Sequence, residues 1–241
     1  MNQDILYTKP KQPIPPFEFN QAVVEVFDDM IHRSVPGYAE IILKQVQLIR
    51  HFYQPKTTII DLGCSNGNLG LKLLEKYPDL DFKMVAADSS RAMLASYLKR
   101  LRLQKKRERI DLICTDITDL RLSNAGVVVI NFTLQFLPIA KRDQLIKAIH
   151  TALTPGGILL FSEKVYHPSK PLNALQKKYH HQFKRENGYS ELEISQKREA
   201  LENVLIPETI ESHATRLTQA GFVQQDIWLK WFNFCSWICL K

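Results

Sequence analysis

"IIDLGCSNGNLG", residues 59–70, is the stretch on which the fold turns. Ile59 to Leu62 is apolar around one acid, the pattern of a strand that ends in a core. Glycines then stand at 63, 67 and 70 among small polar residues, and a helix follows through Tyr77. Glycine lets backbone approach a ligand closely, and the helix N-terminus behind it favours an anionic group such as a carboxylate. The spacing is not the G-x-G-x-x-G of a nicotinamide dinucleotide site.

Working outward, strand-like and helix-like segments alternate. The pattern predicts strands at 57–63, 82–88, 110–116 and 125–132. "AGVVVINF" (125–132) is so apolar that it must be buried on both faces. Helices are predicted at 89–103, capped by Ser89 and Ser90, and at 138–153, opened by Pro138. "TPGG" (154–157) reads as a turn into a strand at 158–164. Upstream, residues 20–53 carry helical periodicity split by "RSVPGY" (33–38); downstream, 169–206 is polar and helical around "NGY" (187–189). A helix over 207–220 ends at Gly221, and the runs "FVQQDIWL" and "NFCSWICLK" close the chain as an antiparallel hairpin.

Strands alternating with helices imply a parallel sheet covered on both faces. With the closing hairpin, this layout resembles that of class I S-adenosylmethionine-dependent methyltransferases. The expected fold is therefore α/β and Rossmann-like, with a mostly parallel seven-stranded sheet and a C-terminal antiparallel hairpin. An N-terminal helical cap (19–54) and a helical insertion (165–206) are added to it. Residues 1–18, rich in proline and polar residues, read as a flexible arm. Residues 19–241 read as a single S-adenosylmethionine-binding domain.

Of the 241 residues, 45% are hydrophobic and 24% charged, enough for a full core. The longest apolar runs are strand-sized, so no membrane span is expected, and the N-terminus lacks a signal-peptide pattern. A cytoplasmic setting follows, and Cys64, Cys114, Cys235 and Cys239 read as reduced core thiols with no metal site. The net charge is +7, of which "KRLRLQKKRER" (99–109) carries +6. That patch could touch RNA, but it reads as the solvated end of a helix. His180 and His181 read as surface or helix packing. Trp228, Trp231 and Trp237 read as packing the hairpin on the core or on a second subunit.

In an open α/β sheet, ligands bind beyond the carboxyl ends of the strands. Polar residues stand at four successive strand ends: Asp61 to Gly67, Asp88, Asp116 and Asn131. The first loop resembles the D-x-G-x-G-x-G loop of methyltransferases, with Ser65 at its middle glycine. Asp88 suits a ribose diol, and Asp116 with the Ile117 backbone suits an adenine. Each residue alone has an ordinary reading as a turn or cap. Their order along the chain points to an S-adenosyl ligand.

Longer stretches narrow the resemblance. "VFDDMIHRSVPGY", "DLGCSNG", "NFTLQFL", "FKRENGYSELEISQKR" and "LENVLIPETIESHATRL" resemble the carboxy-S-adenosyl-L-methionine synthases across nearly the whole chain. That resemblance implies an enzyme converting S-adenosyl-L-methionine and prephenate to carboxy-S-adenosyl-L-methionine and phenylpyruvate. It implies a homodimer whose product passes to a tRNA carboxymethyltransferase acting on a wobble uridine, with no direct tRNA binding. It implies that Tyr38 contacts the ligand from the cap and that Gly63, Cys64 and Ser65 line the methionine end. Asp88 and Ser89 would take the ribose, Asp116 and Ile117 the adenine, and Asn131 the region beneath the sulfonium. Arg198 would be the catalytic cation, pairing with the added carboxylate. Ser89 departs from the asparagine of relatives. An ordinary methyltransferase on a small molecule or tRNA, and a silent module that holds the ligand, are the alternatives.

Overall fold

The computed structural model describes residues 2–104 and 107–241. Seven strands form one sheet in the order β3-β2-β1-β4-β5-β7-β6. β1 (Thr58–Leu62), β2 (Lys83–Asp88), β3 (Ile110–Cys114), β4 (Ala125–Asn131) and β5 (Leu153–Lys164) run parallel. β6 (Gln224–Trp231) and β7 (Phe234–Leu240) pair antiparallel to each other, and β7 to β5. The chain reverses direction across the sheet between β1 and β4, which opens a crevice at their carboxyl ends.

β4 is the middle strand, and Val127 through Ile130 have no exposed surface, as their unbroken β-branched run requires. One face of the sheet is covered by α2 (Tyr38–Phe52), α3 (Asn68–Lys76) and α4 (Arg91–Gln104). The other is covered by α5 (Ile139–Ala152) and α8 (Ile210–Ala220). Trp237 stacks on Phe161 with ring centroids 4.4 Å apart, and this seats the hairpin on the second core. α1 (Gln21–Ser34) of the cap lies against α4 and against α6 (Lys170–Glu186). α6 and α7 (Glu191–Ala200) are the insertion, joined by a turn at Asn187–Tyr189, and α7 is opened by a Ser190/Glu193 capping box. Among the described residues, no helix is long and apolar enough to cross a membrane.

Several expectations need correction. "TPGG" is not a turn before the strand but lies within it. β5 starts at Leu153, its register to β4 jumps from Ala125–Leu153 to Val127–Ile158, and Gly156 at φ +75 takes up the bulge. Backbone bonds between Lys241 and both Gly156 and Gly157 continue the ladder there. α8 starts at Ile210 rather than 207, because Thr209 caps it through Ser212 N.

The arm is not loose. Tyr7 and Phe17 are buried with Val23, Phe27 and Met30 of α1. Gln196 of α7 binds the Tyr7 and Lys9 carbonyls and the Lys11 amide. Cys64, Cys235 and Cys239 are buried free thiols, whereas Cys114, at the tip of the edge strand β3, is exposed. The basic patch is partly structural. Arg100 donates to Asn66 O and Asn68 Oδ1, and Arg109 to the Pro78 and Leu80 carbonyls. Its members Lys105 and Lys106 lie outside the described residues.

Candidate functional site

A cavity of about 490 Å³ lies at the carboxyl ends of β1, β2 and β4, roofed by α1, α6 and α7. Tyr38, Gly63, Cys64, Ser65, Asp88, Ser89, Asp116, Ile117 and Asn131 all line it. The topology explains this: parallel strands deliver their C-terminal residues to one edge, so residues far apart in sequence converge.

The β1–α3 loop is shaped by what it passes. Gly63 (φ +77) lies against Thr133, and Gly67 (φ +87) against the Tyr97 ring, and a Cβ at either would overlap that side chain. Ser65, standing where the methyltransferase loop has glycine, takes φ +51, a left-handed conformation that costs a side-chain-bearing residue energy. Its amide is held at 2.8 Å by Asp88 Oδ2. Asp88 Oδ1 accepts from Ser90 N, also at 2.8 Å. Each carboxylate oxygen keeps a second lone pair for a ligand hydroxyl. Ser90, not Asp88, caps α4 through Met93 N.

Asp61 is buried beneath this loop, and Oδ2 has no partner among the described residues. Burial and the nearby Asp88 push its carboxyl up to about 7. Burial likewise pushes Asp88 above the usual carboxylate range. Buried Glu163 accepts from the Thr133, Leu134 and Gln135 amides and so fixes the loop after β4, and burial pushes it up to about 8. Tyr38 receives a hydrogen bond from Asn68 Nδ2, and burial raises its phenol.

Two expected contacts are partly occupied. Asn131 and Gln45 exchange two amide hydrogen bonds at 2.7 and 2.8 Å. Asp116 accepts from Thr118 N and Oγ1 and pairs with Lys141, interactions that hold its carboxyl below the usual range. Arg198 is not brought in. It is exposed on α7, outside the cavity, while its neighbour Lys197 lines it, because successive helical residues point about 100° apart.

Sequence reading missed the opposite wall. Lys164 at the end of β5, His180 and Lys184 on α6, and Lys197 on α7 all line the cavity. His180, expected at the surface or in helix packing, is buried with Nε2 2.9 Å from Ser34 O, and burial keeps it well below its ordinary pKa. His180 and Lys184 are one helical turn apart on α6, the only available signal, and any amphipathic helix shows that spacing.

Residues 59–157 match the family model of a methyltransferase domain. The chain is 53% identical over 241 residues to the carboxy-S-adenosyl-L-methionine synthase of Desulforapulum autotrophicum, covering 100% of this chain and 98% of that protein. To the protein of the same name from Shewanella putrefaciens it is 44% identical over 240 residues, covering 100% and 99%. Among solved structures it resembles human N-acetylserotonin methyltransferase in complex with SAM (TM-score 0.62, 17% identity, 92% of this chain and 55% of that one). It also resembles Synechocystis magnesium protoporphyrin IX methyltransferase with bound SAH (TM-score 0.61, 14% identity, 87% and 85%). At such identities the structural likeness shows the fold alone.

Proposed function

The chain belongs to the carboxy-S-adenosyl-L-methionine synthase family, and from that membership we propose that it converts S-adenosyl-L-methionine and prephenate to carboxy-S-adenosyl-L-methionine and phenylpyruvate. The observation that carries the reading is the full-length match at 44–53% identity to proteins of that name. The cavity supports it. Asp88 and Ser89 are assigned the ribose, Asp116 and Ile117 the adenine. Gly63, Cys64, Ser65 and Tyr38 take the methionine end, with the unpartnered Asp61 Oδ2 available to an ammonium. Asn131, braced by Gln45, takes the region beneath the sulfonium.

The chemistry needs positioning more than a protein base. The sulfonium acidifies its methyl group. Prephenate becomes aromatic by losing carbon dioxide and its ring hydroxyl, the latter as hydroxide. In this reading the hydroxide takes one methyl proton and leaves as water, and the methyl carbon bonds to the carbon dioxide before it escapes. One C–C bond replaces another, and no electrons are needed from outside. The aromatic lining from Phe17, Phe19 and Phe136 keeps such a step dry.

Arg198 can meet the added carboxylate only if a second copy of the chain presents it. Its pairing therefore belongs to the homodimer that we also propose. Mixing Arg198→Ala with Asp88→Ala chains should restore activity that neither has alone; no recovery would remove Arg198 from the site. The product is proposed to supply a tRNA carboxymethyltransferase in the cytoplasm, without direct tRNA contact by this chain. Incubating the purified protein with S-adenosyl-L-methionine and prephenate should yield phenylpyruvate and a nucleoside heavier by one carbon dioxide, read by mass spectrometry. Transfer of an intact methyl group instead would make an ordinary methyltransferase the better reading.

A further inference from the structure

Lys164, Lys184 and Lys197 bring three ammonium groups to one side of the cavity, on the end of β5, α6 and α7. Lys184 and Lys197 are buried, Lys164 half-buried. A buried ammonium without a counter-charge is costly, so such a group is expected to have a partner. Lys197 has one: Asp4 of the N-terminal arm, 3.5 Å away, which also accepts from Tyr189. Among the described residues, Lys164 and Lys184 have no carboxylate partner.

The surroundings do not cancel the remaining charge. Arg33 and Asp29 pair with each other at 3.0 Å. His180 is held neutral by burial and by Lys184 and Lys164. Burial depresses all three lysines, Lys164 and Lys197 down to about 8, and the neighbouring Lys197 and Lys164 lower Lys184 further. With all three protonated, the single carboxylate of Asp4 leaves two positive charges facing the cavity, and a bound dianion stabilises that charged form of Lys164 and Lys184. Beside them lies an aromatic bed. Phe234 is the cross-strand partner of Lys164, and it packs edge-on to His180 at 4.9 Å and to Phe132 at 6.1 Å.

We propose that Lys164 and Lys184, with Lys197 neutralised by Asp4, form the subsite for the two carboxylates of the second substrate, whose ring lies on Phe132 and Phe234. The class of ligand is a cyclic dicarboxylate. The charge count selects a dianion over the monoanionic keto acid that leaves. Loss of one negative charge in the reaction therefore weakens the product's hold and favours its release. This rests on the synthase reading for the identity of the second substrate; the dianion subsite itself does not.

The test compares Lys164→Met and Lys184→Met with the unaltered protein. Each should raise the KM for prephenate at least tenfold and leave the calorimetric Kd for S-adenosylhomocysteine within twofold. Lys164→Arg should recover most of the KM. Removing an uncompensated buried charge should also keep or raise the melting temperature, so a folding defect is read separately. If Lys184→Met does not fold, the half-exposed Lys164 variants decide alone. A rise in KM below twofold, or equal loss of both ligands, overturns the subsite. If the unaltered protein does not turn prephenate over, the synthase reading fails. The subsite is then judged by calorimetry with prephenate as a bare ligand: binding weakened tenfold by Lys164→Met supports it, and no binding overturns it.

Discussion

At one end of the cavity, Asp61 and Asp88 stand at strand tips, tied to backbone amides or to nothing. At the other, Lys164, Lys184 and Lys197 stand on the end of β5 and two inserted helices, one of them already paired with Asp4. The acidic end uses the sheet, whose register fixes every side chain at its edge. The basic end joins Lys164, at the end of β5, to Lys184 and Lys197 on helices added around the sheet and held by α1 and the arm. The shared fold accounts for where the strand tips stand, since parallel strands deliver their carboxyl ends to one edge.

The largest test of that division is Asp88→Ala. It should weaken every S-adenosyl ligand by about 1.5–3 kcal/mol, the value of hydrogen bonds to a charged group, and leave prephenate affinity nearly unchanged. Calorimetry showing equal loss for both substrates would mean that the two ends are not independent.

Proton linkage separates them next. Asp61, at about 7, holds a proton in the folded ligand-free protein that the unfolded chain has lost above about pH 4. Its contribution to stability therefore falls as pH rises from about 4 to 7, at up to about 1.4 kcal/mol per unit, and Glu163 adds to that fall until about 8. Lys164 and Lys197 act in the opposite direction. Folded, they shed protons near 8, while the unfolded chain keeps them to about 10.5, so their contribution rises across that window. The charges facing these lysines are Asp4, Asp29, Arg33, Lys177 and Lys184, with His180 and His181 neutral at these pH values. Denaturant titrations of the ligand-free protein should show a stability minimum near pH 7–8, and Asp61→Asn should flatten only its acid side. A flat profile across the whole range would contradict both assignments.

The smallest effect belongs to Ser65→Gly. Relief of the φ +51 conformation, about 1–2 kcal/mol, is offset by glycine's freer unfolded state, about 0.5–1 kcal/mol. Unfolding free energy should change by no more than about 1.5 kcal/mol, with S-adenosyl affinity unaltered. A tenfold affinity loss would show that the Ser65 hydroxyl itself touches the ligand.

The acidic end was legible in sequence because Asp88, Asp116 and Asn131 each end or follow an apolar run, and strand order delivers such positions to one place. The core was legible for the same reason, in "GVVVI" above all. The basic end was not. Lys184 and Lys197 sit on polar helices, and a lysine turned to a cavity has the same periodicity as one turned to water. The same ambiguity hid that Lys197 faces the cavity of its own chain while Arg198, the next residue, is exposed. The arm's Tyr7 and Phe17 follow no period among prolines, so nothing marked them as buried. Cys114 looked like core because its strand is apolar, but β3 is the sheet's edge.

Asp4 lies 185 residues before Tyr189, to which it is bonded, and Gln196 grips the Tyr7 carbonyl across 189. Contacts of such separation carry the largest loop-closure entropy in the chain and form late relative to local helices. During synthesis the arm's carboxylate waits, solvated, while the sheet's first five strands emerge; only α7 gives it a place. The cationic wall thus reaches its working charge only after α7 has been made, although the carboxylate that balances it is among the first residues of the chain.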